Sequence, residues 1–467
     1  CTNTASDLPT LIKTVRGGAM NGSAGAIEGC YWQADRETRE VSPALSGDIK
    51  VDVAVIGGGF TGLAAAYHLK VADPGLEIAI LEAETAGFGA SGRNAGFVMT
   101  LFGASVSLMK ALHGKERVRQ AHQYMVSAIS ALEAMIGEHA IDCDYERTGF
   151  LKIATAPAYI SRIQDEIALF QSLGIEGFEW LDRDQLAARI RSPVFLGASW
   201  EPGCGLLNPA KWLDALRRLA FANGARLFEG TRVTGVQREN GRCRLTCDHG
   251  TVSAEKLVFA TNAYTHLIPG MRSKQLPAFT YIVVTEPLSD DQRAEIRWTG
   301  REGIEDGLNF MHYYRLTRDG RILAGGGPGF IPFAGRMDNN ACPKAWSHLE
   351  RFIGETFPPL RGIRIAHRWG GAFSVTLNST PQIGTLHGGS AIYSVGCTGH
   401  GVAMTHMNGR IIRDLVLGRN TELTDLWFVN RRSLPFPPEP FRAIGTKSVM
   451  AAMALDDWWC NRRGEQH

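Results

Sequence analysis

The segment Val51-Asp-Val-Ala-Val-Ile-Gly57-Gly58-Gly59-Phe60-Thr61-Gly62, followed by Leu63 to Ala66 and then by Ile78-Ala-Ile-Leu-Glu82, constrains this chain more than any other stretch. It reads as an apolar strand, a glycine turn, a small-residue helix, a second strand and an acidic end. That order is the βαβ fingerprint of dinucleotide binding. Gly57 permits the tight turn, Gly59 lets the backbone approach a pyrophosphate, and Gly62 lets the helix lie close on the strand. Amides at the helix start around Phe60 and Thr61, with the helix dipole behind them, favour phosphate charge. Glu82 stands twenty residues beyond Gly62. A carboxylate there accepts hydrogen bonds from a ribose diol and repels a 2′-phosphate, which points to FAD or NAD rather than NADP.

With 467 residues the chain is long enough for two or three domain-sized units. Its formal net charge is +2 and its basic residues are scattered, so no global field recruits nucleic acid. The nine cysteines include a Cys243/Cys247 pair but no second pair at zinc-site spacing, so no metal site is expected. They read as reduced thiols of a cytoplasmic protein. No apolar run reaches the length of a membrane span and no secretory signal is visible, so membrane association is not expected.

Two further glycine clusters extend the cofactor reading. Gly87-Phe-Gly-Ala90-Ser91-Gly-Arg93-Asn94-Ala95-Gly96 follows soon after the acidic strand end, where small residues let backbone lie against the rest of a long cofactor. Gly396-Cys-Thr-Gly399-His400-Gly401 sits between an apolar strand and a helix near the far end of the chain. A helix start there could stabilise negative charge on a reduced flavin. Either cluster alone could be an ordinary turn. Their order after the fingerprint makes the dinucleotide FAD.

Parallel-type strand–helix units recur near residues 50, 220–260 and 390–415, while Tyr281-Ile-Val-Val-Thr and Arg321-Ile-Leu-Ala-Gly read as strands of a separate sheet. The expected fold is therefore α/β (α+β overall). An FAD-binding Rossmann-like domain is assembled from separated segments, beside a mixed-sheet substrate domain. The expected boundaries are 1–29 for an N-terminal arm, 30–105, 200–268 and 366–425 for the FAD domain, 106–199 and 269–365 for the substrate domain, and 426–467 for a helical extension.

These motifs, with Tyr31-Trp32, Thr280 to Pro287, Tyr313-Tyr-Arg, Thr376-Leu-Asn, Pro381-Gln-Ile-Gly and Gly399-His-Gly-Val-Ala, resemble the D-amino-acid-oxidase-like superfamily of FAD-dependent enzymes. Within it the chain is most similar to the γ-glutamylputrescine oxidase-like group, over residues 30–425. By position, the resemblance implies that Gly57, Gly59, Gly62 and Glu82 hold the ADP half of FAD. Ala90, Ser91, Arg93, Asn94, Ala95 and Gly96 would run from pyrophosphate to flavin. Val233 would meet adenine, Thr261 would lie beside the cofactor, and Gly399, His400, Gly401 and Val402 would start the flavin-side helix. Some relatives attach FAD through a histidine in the second loop; Ser91-Gly-Arg-Asn has none, so noncovalent FAD is expected. The group commonly reads Thr-x-Asn-Arg-x-Pro where this chain has Thr376-Leu-Asn-Ser379-Thr-Pro381, and losing that arginine changes the charge expected near the substrate.

The activity implied is hydride transfer to flavin N5 from the carbon beside a neutral primary or secondary amine, an amino acid or modified polyamine. The imine then hydrolyses, and oxygen or another acceptor reoxidises the flavin. Candidates on the substrate side are Tyr281, His312, Tyr313, Tyr314, Arg315, Trp369 and His400. Arg315 could bind a carboxylate bidentately or make a salt bridge. Trp369 precedes Gly370-Gly371 and could wall the flavin, and His400 is framed by the glycines of its motif. Two alternatives remain open: FAD-dependent oxidation of a C–OH substrate, and a flavin-binding protein without turnover.

Overall fold

The computed structural model describes residues 29–34, 40–239, 241–268, 270–431 and 434–462; the expected N-terminal arm lies outside the described residues except for Gly29. Two eight-stranded sheets organise the chain. The first has the order Gln382–Leu386, Ala391–Val395, Gly250–Phe259, Ile49–Ile56, Ile78–Leu81, Arg226–Phe228, with the hairpin Val233–Glu239/Arg242–Cys247 attached to Gly250–Phe259. From Ala391–Val395 to Arg226–Phe228 every neighbour is parallel. A parallel sheet is covered on both faces, and its strands must be apolar throughout. Val53, Val55, Ile78 and Ile80 meet that demand on one face, and Ala54, Ala79 and Leu81 on the other. The strands come from three separated parts of the chain, as the recurring strand–helix units imply.

Helices Phe60–Ala72, Pro209–Ala222, Lys115–Glu138 and Gly401–Val416 cover one face through Leu63, Trp212, Leu132 and Ile411. Small residues set how close they come. A Cβ on Gly409 would lie 2.8 Å from that of Ala64, so the two central helices meet backbone to backbone.

The second sheet has the order Ile365–Val375, Leu276–Thr285, Ile322–Gly326, His312–Leu316, Gly303–Asp306, Phe150–Ala154, Gly197–Glu201, Glu179–Asp182. It mixes antiparallel pairs with the parallel pair Gly303–Asp306 and Phe150–Ala154.

Three expected boundaries shift. Ile365–Val375 pairs along its length with Leu276–Thr285, so residues 366–375 belong to the second sheet. Glu201 and Trp200 pair with Phe150 and Leu151 and join it too. Lys115–Glu138, expected with the substrate domain, instead packs on the cofactor-side helices, where the Tyr124 hydroxyl donates to Asn408 Oδ1 at 2.7 Å. An amphipathic stripe shows that a helix is covered, but not by which partner.

Near the C-terminus, helix Phe441–Arg462 is tied to the second-sheet region. Asp457 accepts from the Tyr159 hydroxyl and from the backbone N–H groups of Asn309 and Phe310. Among the described residues, no helix is long and apolar enough to cross a membrane.

Candidate active site

The glycine turn excludes side chains by contact. Gly57 has φ +110°, and a Cβ there would stand 2.6 Å from the Ala260 carbonyl oxygen. A Cβ on Gly62 would stand 2.0 Å from the Gly57 carbonyl oxygen. Gly59 begins helix Phe60–Ala72, and the Phe60 N–H donates to Ser91 Oγ at 2.9 Å. The second small-residue loop therefore closes directly on the first turn. At the end of Ile78–Leu81, the Glu82 carboxylate accepts the Gly58 N–H at 2.7 Å and the Glu84 N–H at 3.0 Å. Burial pushes this carboxyl above its ordinary value, with Glu229 and Glu84 adding to the rise and the two N–H donors opposing it. Val233 lies two residues beyond Thr231, whose N–H donates to the Glu82 carbonyl at 2.8 Å. The ribose-side and adenine-side candidates are thus neighbours.

The second loop is tied to itself and to the second sheet. Asn94 donates through Nδ2 to the carbonyls of Ala90 at 3.1 Å and Ser91 at 3.0 Å, and its Oδ1 accepts the Gly96 N–H at 2.8 Å. The Arg93 guanidinium donates to the carbonyls of Phe88 and Gly370, while Trp369 Nε1 donates to the Arg93 carbonyl at 2.8 Å. These bonds clamp loop and sheet together with two buried side chains. His400 precedes helix Gly401–Val416. Among the described residues its buried Nδ1 makes no side-chain hydrogen bond of good geometry, and burial lowers its pKa to about 4, with the Thr398 backbone opposing the drop and the Lys152 ammonium adding to it. At neutral pH the imidazole is uncharged.

One cavity of about 830 Å³ joins these parts. Gly59, Phe60, Thr61, Ala90, Ser91, Arg93, Asn94, Ala95 and Gly96 line one side, with Gly399, His400, Gly401 and Val402. Thr280, Ile282, Tyr313 and Trp369 of the second sheet face them, as do Thr376, Leu377 and Ser379 of the segment that lacks the arginine. Gly57 and Gly62 lie beneath the turn and Glu82 and Val233 at strand ends, all off this wall. Thr261 is also off it, its hydroxyl paired with that of Thr265 at 2.7 Å, although Ala260 and Asn262 on either side line the cavity.

Four substrate-side candidates do not reach the cavity, and strand alternation explains three of them. Tyr313 points into it, with its hydroxyl 3.1 Å from Thr280 Oγ1, so His312 and Tyr314 point behind the sheet. There His312 Nδ1 meets Asp306 Oδ2 at 2.7 Å, and both rings pack on Phe352. Tyr281 likewise faces away from Thr280 and Ile282, donating to the Asn339 carbonyl at 3.0 Å. Arg315 shares the face of Tyr313 but lies under the cofactor loop. Its Nη1 donates to the carbonyls of Ala95 at 3.1 Å and Leu207 at 2.8 Å, and burial lowers its pKa to about 10. Among the described residues it makes no salt bridge, and it does not line the cavity.

The sequence reading missed two parts of the cavity wall. Lys152, Glu166 and Glu305 bring buried charge to it. The signal was present: Lys152 interrupts the apolar strand Phe150–Ala154, and Glu305 the strand Gly303–Asp306. Helix Phe441–Arg462 contributes Arg442, Val449, Met450 and Met453 at the cavity's outer end.

Glycines that tolerate no Cβ, a carboxylate at the strand end and an orphaned buried nitrogen at a helix start form a cradle that fits an extended dinucleotide ending in a polar ring. The dinucleotide-type turn thus shares one cavity with a second sheet. Residues 52–415 match the FAD-dependent oxidoreductase family abbreviated DAO, and the chain belongs to that family, whose cofactor is FAD. It is 31% identical over 430 residues to gamma-glutamylputrescine oxidoreductase of Escherichia coli (strain K12), covering 89% of this chain and 96% of that protein. It is also similar to the structure of glycine oxidase from Geobacillus kaustophilus, with TM-score 0.70 and 20% identity over 82% of this chain and 99% of that one. L-proline dehydrogenase from P. horikoshii aligns with TM-score 0.67 and 21% identity over 83% of this chain and 98% of that one. The two structures establish the shared mixed α/β fold.

Proposed function

We propose that this protein oxidises the carbon–nitrogen bond of a primary or secondary amine, with FAD held noncovalently. The observation that carries the reading is the single cavity on which the cofactor turn, the flavin-side helix start and the second sheet all open. Relatives named for gamma-glutamylputrescine, glycine and L-proline support an amine as the reacting group. Gly57, Gly59, Gly62 and Glu82 would hold the ADP half, and Ala90 to Gly96 the link to the flavin. Bound there, FAD supplies the two-electron acceptor, which oxygen or another acceptor later reoxidises.

The protein's own part is orientation and electrostatics. Arg93 and Trp369 lock the second loop against the sheet, fixing the distance between cofactor and substrate sides. The neutral His400 ring offers a nitrogen to the cofactor's polar edge, and helix Gly401–Val416 directs its positive end there. Apolar walls from Leu101, Phe279, Met311 and Phe373 exclude water and favour an uncharged substrate nitrogen, as oxidation requires. The oxidised product, an imine, hydrolyses without further help once it meets water. Noncovalent attachment accords with Cys397, whose thiol is raised above its ordinary pKa by burial and lies 3.6 Å from Asn262 Oδ1.

Two measurements test this. Acid precipitation should leave the yellow cofactor in solution; colour retained in the pellet would refute noncovalent binding. Anaerobic mixing with amines and 2-hydroxy acids should bleach the flavin with amines. Bleaching by hydroxy acids alone would favour C–OH chemistry, and no bleaching by any compound would favour a binding protein.

A further inference from the structure

Three titratable side chains, Lys152, Glu166 and Glu305, stand together on the cavity wall, and burial raises the Glu305 carboxyl to about 7 against the pull of the Lys152 ammonium. Lys152 Nζ lies 2.6 Å from Glu166 Oε2 and 3.9 Å from Glu305 Oε1, and the three side chains are 26%, 16% and 7% exposed. All three line both the large cavity and a smaller pocket of about 80 Å³ beside it. Glu201 lines that smaller pocket, where Thr100 Oγ1 donates to its carboxylate at 2.5 Å. Two carboxyl groups, Glu166 and Glu305, therefore share the Lys152 ammonium.

The pairing is incomplete. Lys152 is hydrogen-bonded to Glu166, whereas among the described residues no hydrogen-bond donor reaches the Glu305 carboxylate. Burying an ionised carboxylate costs several kcal/mol unless opposite charge and donors surround it. A well-packed apolar residue at 305 would serve the fold better, so the charge points to a partner that arrives with the substrate. Among the described residues no group of three or more His, Cys, Asp or Glu side chains is placed to hold a metal ion. An organic cation remains.

We propose that Glu305 and Glu166, held in place by Lys152, form a subsite for a second, positively charged nitrogen of the substrate, distinct from the nitrogen beside the carbon that is oxidised. The inference rests on the amine-oxidation reading and sharpens it. The favoured substrates are diamine-type compounds, uncharged at the reacting end and cationic at the other. Monoamines lack the group the subsite receives. Simple amino acids bring a carboxylate towards two acidic side chains, and the Lys152 ammonium beside them is already hydrogen-bonded to Glu166.

The test compares FAD-loaded enzyme mixed anaerobically with putrescine and cadaverine against pentylamine and hexylamine, which match them in length but lack the second nitrogen. Half-saturating concentrations of flavin reduction should favour each diamine by on the order of tenfold to a hundredfold, the worth of one charge-assisted contact. In Glu305→Gln and Glu166→Gln that ratio should collapse towards one. Because the ratio is taken within each protein, partial loss of folding does not imitate the result. Shifts in unfolding temperature with the same four compounds give a second readout, and should show the same preference. Equal half-saturation by diamine and monoamine in the unaltered enzyme would overturn the subsite while leaving amine oxidation standing. A ratio unchanged in both variants would also overturn it. Reduction by hydroxy acids but by no amine would overturn both readings.

Discussion

The two sheets solve opposite problems. In the first, function is built from what is absent: Gly57 and Gly62 have no room for a Cβ, and the turn works because backbone meets backbone. In the second, the cavity is shaped by what is present at a cost, with the titratable side chains of Lys152 and Glu305 largely buried on its wall. A cofactor of fixed shape can be met by fixed backbone. A substrate must be told from its competitors by side chains, and those can change while the sheet stays. Thr376, Leu377 and Ser379, from the segment where the resembling group carries an arginine, line the same cavity.

The sharpest way to break the comparison is Gly62→Ala. Its Cβ would collide with the Gly57 carbonyl at 2.0 Å, and no flexible side chain stands there to give way. Stability should fall by about 3 kcal/mol and the protein should purify without flavin, as thermal unfolding and cofactor content would show. Normal flavin content would mean that the close packing is dispensable.

Arg315→Ala comes next. It leaves the carbonyls of Ala95 and Leu207 without their donor, and a loss of about 2 kcal/mol in denaturant unfolding is expected. A change confined to the half-saturating amine concentration, with stability intact, would return Arg315 to the substrate site. Glu82→Gln should weaken FAD binding about tenfold, measured by equilibrium dialysis. Unaltered retention would separate Glu82 from the ribose.

A further effect concerns pH. His400 and His406 are lowered from 6.5 to about 4 by burial. The unfolded chain then binds more protons than the folded one between those values. The stability they contribute is present above pH 6.5 and lost as pH falls through about 4. Urea midpoints should decline across that interval, and less steeply in His400→Asn. An identical decline in the variant would show that His400 is not held neutral by the fold.

Legibility followed the same division. The strand Ile49–Ile56, the turn at Gly57–Gly62 and the acid at Glu82 could be read because each has a local cause: burial on both faces, positive φ or a steric limit. The substrate side was legible only in part, with Tyr313, Trp369 and His400 on the cavity wall and four other candidates off it, because its causes are not local. His312, Tyr313, Tyr314 and Arg315 are consecutive aromatic or charged residues, and only sheet register sends Tyr313 into the cavity and its neighbours behind it. Strand alternation applied to that run would have separated 313 from 312 and 314, but not shown which face was the site. Lys152 was visible as a charge within an apolar strand, and Glu305 as one of two acids in a four-residue strand. Their meeting depends on the parallel pairing of Phe150–Ala154 with Gly303–Asp306, some 150 residues apart in sequence. Residues 366–375 went to the wrong sheet for a related reason: Trp369-Gly-Gly marks a close approach to the cofactor loop, and that approach comes from across the cavity.

The most direct test of the account is anaerobic mixing of the flavin-loaded protein with a diamine and, separately, with a 2-hydroxy acid of similar length. The account predicts that the diamine bleaches the flavin's visible absorbance and that the hydroxy acid leaves it unchanged. Bleaching by the hydroxy acid with the diamine inert would contradict it.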